Sequence, residues 1–239
     1  MSLPKRGRPA GRTDKGRARE ADLYRVALRL FAEQGYASTT LRAIARTAGV
    51  SPGLMYRYFD SKEAVVLRLY TELSSEYASQ VGANALPWAV AVADAMDASL
   101  TVLGPHRSLL RSLTGVLVSA GDSGLFSPTT SEARLRVQQA FERAILEAPD
   151  APAPAIGRPL ARLCYLGHLG LLLFWLLDRS DGQGATSRLV SGIRRLLPRA
   201  RWLLRLPGAP SMLHSLDEVV WEGLLGGRSQ LAMSAAGPS

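Results

Sequence analysis

Apolar residues near the start of the chain recur at helical spacing and predict a first helix over residues 16–34. They follow the i, i+3, i+4, i+7, i+8 order of one helix face: Leu23, Val26, Ala27, Leu30 and Phe31. Gly35 comes directly after this segment, at the position where a left-handed residue commonly ends a helix. The pattern therefore predicts an amphipathic helix with a defined end.

Two shorter helices are predicted next, joined by a turn around Gly49 and Val50. Thr40 is a good N-cap for the second helix, and Gly49 suits its left-handed end. Ser51 is a second N-cap, and Pro52 takes the first position of the third helix, where its missing N–H costs nothing. This arrangement is typical of a compact helix-turn-helix.

The third helix is predicted to have an inward and an outward face. Met55 and Phe59 lie one turn apart and can share the inward face. The outward face then carries Pro52, Gly53, Leu54 and Arg57.

The segments after the third helix set the predicted domain organisation. Asp60 and Glu63 resemble a capping box for a fourth helix to about Gln80, and a break at residues 82–87 places the domain boundary near 63–85. Further helices are predicted near 88–103, 106–120, 130–147, 157–179, 184–206 and 211–225. No strand-length alternation stands out, so the predicted fold class is all-α, with an N-terminal three-helix helix-turn-helix domain and a C-terminal helical domain. The expected divisions are an arm at 1–15, the helix-turn-helix domain at 16–65, the helical domain at 66–226 and a disordered tail at 227–239.

The positive charge is concentrated at the N-terminal end. The chain of 239 residues has a formal net charge of +9, and residues 1–62 carry 13 basic and 5 acidic side chains. A local excess of this size favours an anionic partner for the N-terminal part of the molecule.

The first 15 residues are rich in Gly, Pro, Lys and Arg and predict a flexible basic arm. Its Arg-Gly-Arg-Pro run resembles the core of an AT-hook, which lays arginines in the minor groove of A·T-rich DNA. The candidate minor-groove residues are Lys5, Arg6, Arg8 and Arg12. The alternative is a generic basic tail that only neutralises phosphates.

A helix-turn-helix places its second helix in the major groove of DNA, and the third predicted helix carries side chains suited to that position. Arg57 can form a bidentate contact to guanine, and Leu54 can pack on a thymine methyl group. Lys62 lies in the first turn of the fourth helix, where a cation opposes the helix dipole unless an anion such as a DNA phosphate binds there. Thr40, Tyr56 and Tyr58 add hydroxyl donors for phosphates.

Four runs of residues together resemble the DNA-binding domain of the TetR family of bacterial transcriptional regulators: 31–40, 44–45, 48–53 and 56–63. Met55 and Tyr58 differ from the leucine and histidine common at these sites, and both changes are expected to be tolerated. The resemblance implies base contacts from Arg42, Pro52, Gly53, Leu54 and Arg57. It implies phosphate contacts from Thr40, Tyr56, Tyr58 and Lys62.

The same resemblance implies that the C-terminal helices form an effector pocket and a homodimer interface. The pocket candidates are Tyr77, Trp88, Met96 and Phe141. The interface candidates are Leu166, Gly170, Leu173, Leu177, Leu189 and Ile193. Each of these residues is also compatible with an ordinary core position, and the sequence alone leaves that alternative open.

Motifs for other chemistry are not found. The single cysteine, Cys164, excludes an intramolecular disulfide and reads as a buried thiol. The three histidines, His106, His168 and His214, are widely separated, and no nucleophile elbow or phosphate-binding glycine loop is present. We therefore expect no enzymatic activity, no catalytic residue, no metal site and no cofactor.

The longest apolar run, from Leu163 to Leu177, is shorter than the roughly 20 residues that a membrane-spanning helix needs. It predicts a buried or interfacial helix, and the N-terminus does not resemble a secretory signal. The expected location is the cytoplasm, with no membrane partner.

These features predict a sequence-specific DNA-binding transcriptional regulator with double-stranded operator DNA as its partner. The resemblance implies a homodimeric repressor that a small apolar ligand releases from a near-palindromic operator. The alternative is an architectural or nucleoid-associated protein with little sequence preference. The identities of the effector, the operator and the regulated genes, and the sign of regulation, stay open.

Overall fold

The computed structural model describes residues 14–82, 85–121, 124–200 and 202–225. Within these ranges the regular elements are all helical and none is a strand, which confirms the all-α class. The chain divides between Val65 and Val66 into two compact units. The basic arm residues Lys5, Arg6, Arg8 and Arg12 and the tail at 227–239 lie outside the described residues.

The N-terminal unit contains three complete helices and the start of a fourth: α1 (Asp14–Gln34), α2 (Leu41–Thr47), α3 (Pro52–Tyr58) and α4 (Lys62–Gln80). The first helix begins two residues before the predicted start, so Asp14 and Lys15 belong to it rather than to the arm. The fully buried apolar side chains of this unit come from all three complete helices and from the start of α4: Leu23, Ala27, Phe31, Ile44, Ala45, Met55 and Val65. A single core thus holds α2 and α3 against α1.

The predicted capping box at the start of α4 is wrong. The hydroxyl of Ser61, not the Asp60 carboxylate, accepts the backbone N–H of Ala64, at 3.1 Å. Ser61 directly precedes the first helical residue, so its short side chain is at the N-cap position and reaches the open N–H groups. Glu63 instead accepts a hydrogen bond from the hydroxyl of Tyr36, at 2.7 Å.

The C-terminal unit contains the rest of α4 and seven further helices in its described residues: α5 (Trp88–Leu103), α6 (Arg107–Ser112), α7 (Thr114–Leu117), α8 (Ser131–Leu146), α9 (Pro154–Leu177), α10 (Gly184–Ala200) and α11 (Ala209–Leu225). α9 packs against α8 and α11, and α5 packs against α8 and α10. The contact between α8 and α9 buries aromatic side chains in the centre of the unit, among them Phe141 and Tyr165.

Two predicted helices are shorter than expected. The segment 106–120 is divided at Leu113, whose N–H bonds to the carbonyls of both Leu109 and Leu110 in a tightened turn. The segment 184–206 is helical only to Ala200. Pro198 lacks the N–H that would continue the hydrogen-bond ladder, so the helix ends within two residues of it.

Charged side chains tie the C-terminal helices together. Arg162 on α9 pairs with the buried carboxylate of Asp217 on α11, with Nε 2.7 Å from Oδ1. Arg107 donates to the carbonyls of Trp175 at 2.8 Å and Asp178 at 2.7 Å. A cation at this position satisfies the open carbonyls of the C-terminus of α9 and favours its dipole.

The apolar run belongs to a longer helix than predicted, so the prediction that it is too short to span a membrane is wrong. α9 extends back to Pro154 and has 24 residues, so among the described residues it is the one helix with the length and composition to cross a bilayer. Its residues Tyr165 and His168 are buried against the rest of the unit, whereas Leu173, Phe174 and Leu177 are exposed. Length and composition alone are weak grounds for a membrane helix, because core helices meet the same criteria.

Candidate nucleic-acid interface

The turn between α2 and α3 has the geometry of a helix-turn-helix. The hydroxyl of Thr40 accepts the Ala43 N–H at 3.1 Å, and that of Ser51 accepts the Leu54 N–H at 3.2 Å. Gly49 has a φ of +66°, and the following N–H, that of Val50, bonds to the Ala45 carbonyl at 3.0 Å. Both caps and the left-handed glycine of the turn are therefore confirmed.

α3 is fixed by its inward face. Met55 is fully buried and Phe59 is 4% exposed, with the Phe59 ring stacked on that of Tyr24 at 6.3 Å between centroids. On the opposite side Pro52, Gly53 and Arg57 are exposed, as is Tyr56. Leu54 and Tyr58 are half-buried. The predicted inward and outward faces of this helix are thus observed.

The fold itself does not require a glycine at position 53, on the exposed face of α3. Its backbone is not in the left-handed region, and a Cβ added there would have no atom within 4 Å. A glycine in a helix costs about 0.5–1 kcal/mol relative to alanine. The absence of a side chain here is therefore unfavourable for folding alone, and it allows an external surface to approach the first turn of α3.

Lys62 is already bound to the N-terminal unit. Its Nζ donates to the Tyr36 carbonyl at 2.8 Å and lies 4.2 Å from the centroid of the Tyr36 ring. The Tyr36 hydroxyl in turn lowers the pKa of Glu63 by donating to its carboxylate. The cation is thus stabilised without an external anion, so its position at a helix start is no argument for a phosphate. An ammonium has three donors, and the phosphate contact of Lys62 stays a prediction.

The remaining DNA-contact candidates lie on α2 and at its start. Arg42 and Thr40 are exposed. Neither Arg42 nor Arg57 has an ion-pair partner within the described part of the chain. Two unpaired guanidinium groups on α2 and α3 give this surface the donors that bind phosphates and guanine edges.

The four effector-pocket candidates are all buried, but the structure brings only some of them together. The rings of Tyr77 and Phe141 lie 6.3 Å and 5.1 Å from that of His168. Trp88 begins α5, and its backbone N–H donates to the Asp150 carboxylate at 2.7 Å. Met96 is a core residue of α5. His168 was noted from the sequence only as one of three widely separated histidines, and its central place was not predicted, although a lone histidine in a long apolar run was a visible signal.

A separate groove of about 490 Å³ lies along α5 and α10. It is lined by Asp97, Leu100, Trp175, Thr186, Val190 and Arg194, among others, and by none of the four pocket candidates. Arg194 crosses the groove and pairs with Asp94 at 2.6 Å and with Asp97. This ion-paired guanidinium makes the groove polar, unlike the pocket predicted from the sequence.

The dimer-interface candidates form an exposed apolar surface on α9 and α10. Leu173, Leu177 and Leu189 are 39%, 61% and 38% exposed, and Gly170 has open space above it. Leu166 and Ile193 are half-buried. Leu196, which belongs to the same apolar stripe of α10, is 64% exposed, and Phe174, which was not a candidate, is 42% exposed and enlarges the surface. Exposed apolar patches of this kind are typical of protein–protein contacts, membrane contacts or ligand grooves.

The described residues contain no group of three or more His, Cys, Asp or Glu side chains that could hold a metal ion. Cys164 is half-buried, and desolvation raises its pKa to about 12, so it is a protonated thiol at neutral pH.

The fold and this surface define the class of protein, a helix-turn-helix protein with a further helical unit. Residues 23–69 match the family model described as bacterial regulatory proteins, tetR family. HTH-type transcriptional repressor KstR2 of Rhodococcus jostii is 45% identical over 58 residues, which are 24% of this chain and 28% of the relative. The segment at residues 23–69 therefore matches the DNA-binding segment of the TetR family.

The relatives differ in how much of the chain they match. The fatty acid metabolism regulator protein of Bacillus subtilis is 29% identical over 109 residues, which are 46% of this chain and 50% of the relative. The chain therefore matches between about a quarter and a half of the length of these curated relatives. The structure of the regulator FadR from Bacillus subtilis, solved in complex with stearoyl-CoA, has a TM-score of 0.59 and 17% identity and covers 74% of this chain and 96% of its own. That likeness concerns the fold.

Proposed function

We propose that this protein is a sequence-specific DNA-binding transcriptional regulator that acts as a repressor. The outward face of α3 supports the proposal, because it presents Arg57, Tyr56 and the bare backbone of Gly53 on a helix held rigidly by Met55 and Phe59. Direct reading of bases needs such a rigid helix with a guanidinium at the groove edge. Arg42, Pro52 and Leu54 complete the base-reading surface, and Thr40, Tyr56, Tyr58 and Lys62 contact phosphates.

The repressor acts as a homodimer through the apolar surface of α9 and α10. Leu166, Gly170, Leu173 and Leu177 lie on one face of α9, and Leu189 and Ile193 extend the surface onto α10. Two copies related by a two-fold axis would bury this surface and present two recognition helices. A near-palindromic operator follows from that symmetry.

A small, largely apolar effector releases the repressor from DNA, in a site that includes Tyr77 and Phe141 together with Trp88 and Met96. The protein works in the cytoplasm and without enzymatic activity. The basic arm, with Lys5, Arg6, Arg8 and Arg12, adds minor-groove contacts beside each half-site.

Selection of bound sequences from random duplexes, with the purified full chain, tests the regulator function. We expect a near-palindromic site bound about 10³–10⁷-fold more tightly than random DNA. An architectural protein would yield no preferred site and would bind all duplexes with similar, strongly salt-dependent affinity. That second result would contradict the proposed function.

A further inference from the structure

The interior of the C-terminal unit contains a small polar cluster formed by Tyr77, Ser99 and His168. Each residue comes from a different helix, α4, α5 and α9, and each is at most 4% exposed. The Ser99 hydroxyl lies 3.3 Å from Nε2 of His168, and the Tyr77 and His168 rings are stacked with an angle of 10° between their planes. Phe141 on α8 closes the cluster from a fourth side.

Two polar atoms of this cluster have no hydrogen-bond partner among the described residues. They are the hydroxyl of Tyr77 and Nδ1 of His168, and both are fully shielded from solvent. Burying an unpaired polar atom destabilises a folded protein, because the group loses its hydrogen bonds to water without replacing them. These two atoms belong to rings whose centroids lie 6.3 Å apart, so one buried cluster holds two polar atoms that can still accept or donate a hydrogen bond.

The chemistry of these atoms limits what the partner can be. Burial lowers the pKa of His168 to about 3 and raises that of Tyr77, so both side chains are neutral near pH 7. Arg143 on α8 also acts electrostatically on Tyr77, but no hydrogen bond or ion pair joins it to the cluster in the described structure. A charged partner would be buried there without a counter-ion in contact, which is strongly unfavourable.

We propose that the Tyr77 hydroxyl and Nδ1 of His168 are the polar end of the effector site, and that the effector is an uncharged molecule with an alcohol, ketone or amide group on an apolar body. This inference rests on the proposed function and specifies its effector. Ser99 is a positioning residue that orients the imidazole through Nε2. Phe141 packs against the apolar body.

The same geometry connects effector binding with DNA binding. The two unpaired atoms are inaccessible in the closed interior, so a ligand reaches them only when the helices around them separate. α4 contributes Tyr77 to this cluster and begins at Lys62, which is hydrogen-bonded to Tyr36. A ligand at this cluster therefore prefers an opened arrangement of α4, α5 and α9 to the closed one, and such unequal affinity is what a release mechanism requires.

Stability of the unliganded full chain gives the first test. We expect Tyr77→Phe to raise the Tm by about 2–4 °C, because it removes a buried hydroxyl that has no partner. Tyr70→Phe is the matched control, since Tyr70 is a second buried tyrosine of α4 whose hydroxyl has no partner but which has no ring contact with His168. A clear loss of stability in Tyr77→Phe would show that its hydroxyl is part of a structural network, and would overturn the proposal.

Ligand binding gives the second test. It uses two series of probes, one with a decyl and one with a 2-naphthyl body, and each series contains four compounds: the hydrocarbon, the alcohol, the methyl ketone and the carboxylate. We expect the alcohol or the ketone to bind best in at least one series. Tyr77→Phe should weaken the binding of that alcohol or ketone about tenfold and leave the binding of the hydrocarbon unchanged. Tyr70→Phe should change the affinity of neither compound. Preference for the carboxylate, or equal losses in both variants, would overturn the proposed site.

Nitrogen NMR of the histidine side chains locates the contact. The chain has only three histidines, so His168 is assigned by its absence in a His168→Asn variant. We expect the bound alcohol or ketone to shift the Nδ1 signal of His168 and to leave those of His106 and His214 unchanged. No shift with a probe that binds would place the ligand elsewhere and overturn the proposal. Operator binding of the unliganded protein is measured in parallel, so a failed effector site is distinguished from a failed DNA-binding function.

Discussion

At position 53, folding and DNA binding are expected to favour different residues. A Cβ at this position meets no protein atom, so Gly53→Ala should raise the free energy of unfolding by about 0.5 kcal/mol through a lower backbone entropy of the unfolded chain. The added methyl group would project into the surface that approaches DNA, and we expect operator affinity to fall. Chemical denaturation and a binding titration measure the two effects. A variant with unchanged affinity would show that DNA does not approach this turn closely.

Arg57 and Lys62 should differ in what they contribute to DNA binding. Arg57→Ala should cost about 1–3 kcal/mol on the operator and relax the preference at one base pair, because a bidentate contact to guanine is lost. Lys62→Ala should weaken operator and random DNA similarly, because phosphates carry no sequence information.

The contact of Lys62 with Tyr36 adds a control to this comparison. Loss of the hydrogen bond and of the ring contact destabilises the N-terminal unit, so Lys62→Ala is measured at a temperature where it remains folded by circular dichroism. Equal losses on operator and random DNA for Arg57→Ala would contradict its assignment as a base-reading residue.

His168 should make the stability of the protein pH-dependent above the range where carboxylates titrate. Its pKa is about 3 when folded and about 6.5 when unfolded, so between these pH values the unfolded chain binds a proton at His168 and the folded chain does not. The contribution of neutral His168 to the free energy of unfolding is complete above about pH 6.5 and decreases as the pH falls toward 3. Between about pH 7 and pH 5.5 we expect a loss of about 1 kcal/mol in the free energy of unfolding.

Denaturation of two variants at both pH values checks this expectation. His168→Asn should remove most of the loss, while His214→Asn, at an exposed site on α11, should retain it. A loss of the same size in His168→Asn would assign the pH dependence to other groups.

Among the helices, α9 has two different faces. One face buries Tyr165, His168 and Trp175, and the other exposes Leu173, Phe174 and Leu177. A helix that is apolar on both faces has one face for its own core and one for another chain. α10 continues the outer face with Leu189 and Leu196.

Leu177→Asp should therefore shift the protein from dimer to monomer without unfolding it, because it places a charge in the apolar surface that the partner covers. Sedimentation at micromolar concentration measures the change. Leu216→Asp is the matched control, since Leu216 is 48% exposed on α11, outside the proposed interface. Dissociation by Leu216→Asp alone would place the interface on α11 instead.

For the whole molecule, the two-fold axis determines the spacing of the operator. Two recognition helices of one dimer contact half-sites about 34–36 Å apart, or one turn of DNA. Insertion of about 5 base pairs between the half-sites rotates one of them to the opposite side of the duplex. We expect this insertion to reduce affinity to that of a single half-site, as measured by gel shift.

The monomeric Leu177→Asp variant is the control for this experiment. It should bind the native and the expanded operator equally, because each of its copies contacts one half-site. Undiminished binding of the wild-type dimer to the expanded operator would contradict the symmetric arrangement.

Local patterns were sufficient to predict the N-terminal unit. Thr40, Gly49, Ser51 and Pro52 act on their immediate neighbours through caps and a left-handed turn, so their effects follow from residue type and spacing alone. The capping box at Asp60 failed for the same local reason, because Ser61 is one residue nearer to the helix. Helix ends in the C-terminal unit were less predictable, since Leu113 and Pro198 limit α6 and α10 in ways that apolar periodicity does not show.

The sequence by itself therefore determined the all-α class, the helix-turn-helix and the exposed residues of α3, because caps, turn residues and apolar periodicity are visible in residues close in the chain. Only the tertiary structure decided that Lys62 is bound to Tyr36, and that Tyr77, Ser99 and His168 meet in one cluster. Those partners are 26 and 69 residues apart for the two hydrogen bonds. Contacts over such distances arise from how helices pack, and packing depends on the shapes of many side chains at once rather than on any local period.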